Sequence, residues 1–111
     1  MGRERRNFSR ADQPFAAKYR VLGDLMHGWC EVRTLNISAG GIRFRSDEPL
    51  ERDTLLELQI KLPSHAEILL LRGRVSWGQT RASGVIEIGV EFLDVTSVQQ
   101  AQIDSVIQFL K

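Results

Sequence analysis

The stretch Leu56-Glu57-Leu58-Gln59-Ile60-Lys61-Leu62 narrows the choice of folds more than any other part of the chain. Apolar and polar residues alternate without a break, and a repeat of two puts every apolar side chain on one side of an extended backbone. A helix would scatter them round its circumference. The stretch is therefore a strand with one buried and one wet face, ended by Pro63-Ser64.

The same period recurs on both sides of it. Phe15, Ala17, Tyr19 and Val21 alternate with Ala16, Lys18 and Arg20, and turn signals follow at Gly23-Asp24 and His27-Gly28. Trp29 to Ile37 is rich in strand formers but changes phase: Cys30 and Val32 share one parity, Leu35 and Ile37 the other. One extra residue in mid-strand, a bulge, accounts for the switch. Ile42 and Phe44 then face one way while Arg43 and Arg45 face the other, before a turn at Asp47-Glu48-Pro49. Ala66 to Trp77 is a long run that is apolar at both parities through Leu71, so its pattern assigns no faces. Gly78 to Gly84 reads as a loop, and Val85 to Leu93 alternates again, with Ile86, Ile88, Val90 and Phe92 on one face.

The last segment changes period. Ile103, Val106, Ile107 and Leu110 fall at i, i+3, i+4 and i+7, one apolar helical stripe, and Thr96 and Gln99 have the spacing of a capping box. Six strands at short spacing followed by one helix predict a mainly β fold: a six-stranded antiparallel barrel with a C-terminal α-helix on its outside or end. At 111 residues this is one folded unit, residues 14–111, preceded by an arginine-rich leader, residues 1–13, that is polar and without period.

Composition excludes several classes. With 42% hydrophobic and 26% charged residues the chain is not a disordered tail. The single cysteine, Cys30, makes no internal disulfide and reads as a small apolar residue near the core, which suits a reducing compartment. The opening Met-Gly-Arg-Glu-Arg-Arg is no signal peptide, and Ile68 to Leu71 is too short to cross a bilayer, so the expectation is a cytoplasmic protein with no membrane insertion. No enzyme is expected either. His27 and His65 sit in turn-like positions without metal-ligand neighbours, and there is no nucleophile elbow, phosphate-cradling loop or cysteine pair. No metal and no resident cofactor is expected.

Charge is unevenly spread. Residues 1–45 carry nine Lys/Arg against four Asp/Glu, and residues 46–111 six against ten, so an anionic partner is drawn to the first part. Two features there suit a small anion carrying bases. Arg6 and Arg10 are four apart, with Arg3 and Arg5 beside them, and each guanidinium can grip a phosphate or the O6/N7 edge of guanine with paired hydrogen bonds. Asn36 to Gly41 is a polar turn between two strands, where Asn36 and Ser38 offer donors and acceptors and Gly40-Gly41 leaves room above the backbone. Taken singly, the arginines also fit a solvated terminus and the turn fits ordinary hairpin chemistry.

Together, Arg6-Asn7-Phe8-Ser9-Arg10 and Asn36-Ile37-Ser38-Ala39-Gly40-Gly41 resemble the paired signature of the PilZ domain family, RxxxR and then Asp or Asn-x-Ser-x-x-Gly. The resemblance runs on through Val75-Ser76-Trp77 and Gly89-Val90-Glu91-Phe92 to the helix, nearly the whole chain. It implies a six-stranded barrel that binds the bacterial second messenger cyclic di-GMP, with the leader folding over the ligand. By that likeness Arg6 and Arg10 hold phosphate and guanine, Asn36 and Ser38 hydrogen-bond base and backbone, and Gly41 keeps the turn tight. Asn36 stands where the family also uses Asp; its neutral amide implies a weaker grip on guanine N1–H and N2–H. Arg5 implies an intercalated pair of ligands, two molecules per chain. Trp77 either borders the ligand or plugs the barrel end.

Output would pass through an unidentified downstream protein partner. Two other readings stand beside this one: a small barrel binding single-stranded nucleic acid, and a ligand-free PilZ-like adaptor. The outward faces lack the interleaved aromatics of the first, so no nucleic acid is expected, and members of the second kind usually lack the arginines present here.

Overall fold

The structure is a computed structural model that describes residues 16–38, 40–61 and 68–110, apart from the side chains of residues 106 and 108–110. The leader with Arg3, Arg5, Arg6 and Arg10, together with Pro14, Phe15, Ala39 and His65, lies outside the described residues, as do the side chains of Val106 and Leu110.

Six strands, β1 (Ala16–Val21), β2 (Cys30–Ile37), β3 (Gly41–Ser46), β4 (Leu55–Lys61), β5 (Ile68–Thr80) and β6 (Ile86–Leu93), precede one helix, α1 (Ser97–Leu110). They close into a barrel in the order β1-β2-β3-β6-β5-β4, each neighbouring pair antiparallel. The clean alternation of β4 does what its period requires: Leu56, Leu58 and Ile60 point inward and are buried, Leu56 and Ile60 completely. β5 resolves the run whose faces the sequence left open. Leu69, Leu71 and Val75 are buried while Ile68, Leu70, Arg72 and Arg74 face solvent.

Inside the barrel, Tyr19 and Phe44 stack with ring centroids 5.7 Å apart and planes 21° from parallel. Burial pushes the Tyr19 hydroxyl up to about 12, although a hydrogen bond with Ser46 works the other way. Cys30 is half-buried against this core, as its composition suggests. The capping box at the start of α1 is formed. Thr96 Oγ1 accepts from Gln99 N and Gln99 Oε1 accepts from Thr96 N, both at 3.1 Å. Gln99 Nε2 also donates to Leu70 O at 2.9 Å, tying the helix to β5, and Ile103 is fully buried in the core.

Two bulges interrupt the ladders. Between β2 and β3 the register passes from Thr34↔Phe44 to Asn36↔Arg43, leaving Leu35 as the extra residue that the phase change predicts. Between β5 and β6 it passes from Val75↔Val90 to Trp77↔Gly89, leaving Ser76 over. The second has no counterpart in the sequence reading. That reading also ends β5 too early: residues 78–80 are strand, paired with residues 86–88 of β6. The loop shrinks to a turn closed by Arg81 N donating to Val85 O at 2.7 Å.

Candidate ligand-binding face

Each bulge moves one side chain from the inside of the barrel to the outside. Thr34 is buried, and in an unbroken strand Asn36, two residues on, would share its direction. The extra residue reverses the parity, so Asn36 is exposed and Ile37 is buried. Val75 and Trp77 are related in the same way: Val75 is fully buried, and after Ser76 the indole emerges 38% exposed. Of the two alternatives for Trp77, the barrel plug is therefore not what forms.

The ladders line these two residues up. Asn36 pairs with Arg43, Arg43 with Gly89, and Gly89 with Trp77, giving one outward row across four strands. Gly89 is the floor on which the indole lies; a Cβ added there would sit 2.2 Å from Trp77 Nε1. Sequence reading placed Asn36 and Trp77 in the site but used Arg43 only as an outward residue and Gly89 only as part of a motif. A signal for Arg43 was available: once Ile37 pairs with Ile42 across the turn, Asn36 must face Arg43.

At the end of this row the β2–β3 turn is held by Ser38 N donating to Gly41 O at 2.9 Å, with Ser38 Oγ 3.5 Å from the same carbonyl. Phe92 N donates to Gly40 O at 2.9 Å and fastens the turn to β6. Gly41 is required for a reason other than the one the resemblance implies. Its φ is unexceptional, but a Cβ would lie 2.3 Å from Val90 O, so a side chain would push β3 off β6. Ser38 and Gly40 remain exposed.

The rows on either side differ from this one in charge. Above it, Gly41 pairs with Glu91 and Glu91 with Arg74; the Arg74 guanidinium hydrogen-bonds the Glu91 carboxylate, with Nε at 2.8 Å. Below it, Arg33 pairs with Arg45, Arg45 with Glu87 and Glu87 with Gln79. Arg81 donates to Glu87 Oε1 at 2.7 Å. That hydrogen bond, with Arg43 and Arg45 adding their field, holds the Glu87 carboxyl below its ordinary range. Both glutamates thus have guanidinium partners already. Among the described residues Arg33, Arg43 and Arg45 are in no ion pair, so the face keeps a net positive strip.

The described residues also form grooves on the outside of the barrel. A groove of about 440 Å³ beside Arg20, Trp29, Leu70 and Arg72 holds none of the predicted site residues. In that groove Arg20 is already engaged, 4.4 Å from the Trp29 ring centroid and bonded to Glu57 at 2.6 Å. Another of about 400 Å³, lined by Trp77, Leu50 and Ile86, borders the Trp77 end of the row. Asn36, Ser38, Gly41 and Trp77 are thus placed on one face, whereas Arg5, Arg6 and Arg10 lie outside the described residues. Among the described residues no cluster of three His, Cys, Asp or Glu could hold a metal ion, and no helix is long and apolar enough to cross a membrane.

Three comparisons bear on this geometry. The family model described as PilZ domain matches residues 4–109. No curated protein matches the chain. Among solved structures, the inhibitor of motility MotI/DgrA of Bacillus subtilis superposes with a TM-score of 0.69 at 19% identity, covering 86% of this chain and 46% of that one. The PilZ domain of Escherichia coli YcgR, solved with c-di-GMP, gives 0.66 at 13% identity, covering 89% of this chain and 82% of that one. The longer YcgR chain, also in complex with c-di-GMP, gives 0.70 at 15%, covering 87% of this chain and 41% of that one. The chain therefore spans less than half the length of MotI and of the longer YcgR chain.

Proposed function

Because the chain belongs to the PilZ domain family, we propose that it is a cyclic di-GMP receptor, a binding protein of the bacterial cytoplasm and not a catalyst. The supporting observation is the row Asn36, Arg43, Gly89, Trp77: an amide, a guanidinium in no ion pair among the described residues, and an indole in one row on an exposed face. The relatives solved with c-di-GMP share this fold. Strand order also favours the reading. β1 opens with Ala16 paired to Arg33, so the leader joins the barrel at the same end as the Asn36–Gly41 turn. Six residue steps lead from Arg10 to Ala16, and six extended steps reach at most about 20 Å.

In this reading Arg6 and Arg10 grip phosphate and the guanine edge from one side while Asn36 and Ser38 hydrogen-bond from the other, with Trp77 bordering the base. The leader is the second jaw over the exposed strip. Arg5 adds charge for a second ligand molecule, giving an intercalated pair per chain. Closure alters the surface that a downstream protein partner reads.

Two paired arginine–guanine contacts contribute about 1–3 kcal/mol each. Ordering roughly ten leader residues costs about 1–2 kcal/mol apiece if all become fixed. The barrel must therefore supply contacts of its own.

Titration calorimetry with cyclic di-GMP, using GTP and cyclic GMP as controls, tests the assignment. Binding to the first alone is expected, with two ligands per chain. Arg6→Ala or Arg10→Ala should abolish micromolar binding while the melting curve of the free protein stays unchanged. Absence of heat with cyclic di-GMP ends the proposal; one ligand per chain removes only the role of Arg5. Salt-steep binding to oligonucleotides instead would favour the single-stranded nucleic-acid reading.

A further inference from the structure

We infer that Arg43 is the barrel's own anion-holding residue, gripping a ligand phosphate between Asn36 and Trp77, and that Gly89 is a positioning residue that keeps this place open. The inference rests on the cyclic di-GMP reading above but comes from a different observation, the distribution of carboxylates over the outer face. In the rows on either side of Arg43 a glutamate occupies the β6 position, Glu91 and Glu87. In its own row that position is Gly89, so no acid stands opposite its guanidinium. The two flanking glutamates are hydrogen-bonded to Arg74 and Arg81, and Glu87 reaches Arg43 only through its field. Arg43 is thus an exposed cation whose ladder partners, Asn36 on one side and Gly89 on the other, are both neutral.

Gly89 contributes by what it lacks. Its missing side chain leaves the space that the Trp77 indole fills, with Nε1, Cε2 and Cδ1 all within 2.8 Å of where a Cβ would stand. The indole therefore lies over Gly89, the ladder partner of Arg43, instead of standing away from the sheet. A ring flat on the barrel beside a guanidinium offers a stacking surface and a phosphate ligand in one place. Guanine stacked there would carry its phosphate toward Arg43 and its polar edge toward Asn36.

Calorimetric titration of the full chain with cyclic di-GMP tests this with Arg43→Ala, Arg43→Lys and Gly89→Ala. Arg43 is exposed and unpaired among the described residues, so both of its variants should melt with the parent protein. Arg43→Ala should weaken binding by about ten- to a hundredfold, the range for losing one paired charged contact, and should make affinity less dependent on salt. Arg43→Lys should restore the salt dependence but only part of the affinity. In a Trp29→Phe background, Gly89→Ala should shift Trp77 emission to the red as the ring lifts, with loss of affinity. If the parent protein binds and Arg43→Ala binds equally well, this inference is wrong and the receptor reading survives. If the parent protein does not bind, both fall. Should Gly89→Ala fail to fold, the Arg43 pair of variants still decides.

Discussion

Gly40 and Gly41 are adjacent, yet alanine at the two positions should have opposite effects. At Gly41 the new Cβ would lie 2.3 Å from Val90 O and 3.3 Å from both Val90 C and Glu91 Cα, all backbone atoms that no rotamer change can move. An ordinary carbon–oxygen approach is about 3.3 Å or more, so β3 and β6 must separate locally by about 1 Å. One bond at this corner, Phe92 N to Gly40 O, is 2.9 Å long, runs from β6 to the turn and would stretch beyond hydrogen-bonding range. At about 0.5–1.5 kcal/mol net per bond, this bond and the adjoining ladder contact of Gly41 with Glu91 cost roughly 1–3 kcal/mol. For a domain of this size that lowers the melting temperature by about 4–8 °C per kcal/mol. At Gly40 an added Cβ meets no atom of the described residues within 4 Å and φ lies outside the left-handed region. Alanine there restricts the unfolded chain without strain and should add about 0.4–1 kcal/mol. Thermal melts of Gly40→Ala and Gly41→Ala read both effects. A Gly41→Ala protein that melts with wild type, or a Gly40→Ala protein that falls as far, would refute the close-approach account.

Two further expectations concern titration. Tyr19 is the only tyrosine in the chain, so phenolate absorbance reports it alone; the signal should rise only near pH 12, where burial places its hydroxyl. Because its folded value is raised, the associated stability is complete below the ordinary value of 10.0 and declines as pH rises toward 12. In the β1–β2 loop Asp24 Oδ2 lies 2.9 Å from His27 Nδ1 and raises the imidazole above its ordinary 6.5, while hydrogen bonds from Met26 N and His27 lower the Asp24 carboxyl. The histidine contribution is lost as pH rises through its folded value, and the aspartate contribution as pH falls through its own, so the loop is firmest between the two. Asp24→Asn should bring His27 down toward 6.5, read from the ring-proton shifts; an unmoved titration curve would show that the contact is not made in solution.

Much of this architecture is readable in the residues. The alternation of β4 fixes its faces, the phase change from Val32 to Leu35 locates the first bulge, and Thr96 with Gln99 marks the helix start. What escapes has a physical cause in each case. Ile68 to Leu71 is apolar on both sides because Ile68 and Leu70 remain exposed, so no period survives. Gly78 resembles a strand breaker, yet it lies within the ladder opposite Ile88. The Ser76 bulge has no phase marker, since Gly73 and Gly78 on either side of it carry no apolar side chain to show the parity. For the candidate site, Asn36, Ser38 and Gly41 are named by their motif, whereas Arg43 becomes a neighbour of Trp77 only through two ladders that join β3 to β6 and β6 to β5.

The paired bulges make this surface depend on counting as well as on chemistry. If Leu35 or Ser76 were paired in the ladder instead of bulging from it, every signature residue would remain in the chain, yet Asn36 or Trp77 would turn toward the barrel interior and an apolar neighbour toward water. A relative that keeps the same letters but pairs these strands without the bulges would therefore match well on paper and present a different face. Among similar domains, the pairing register on either side of these two bulges is the first thing to compare before a shared ligand is assumed.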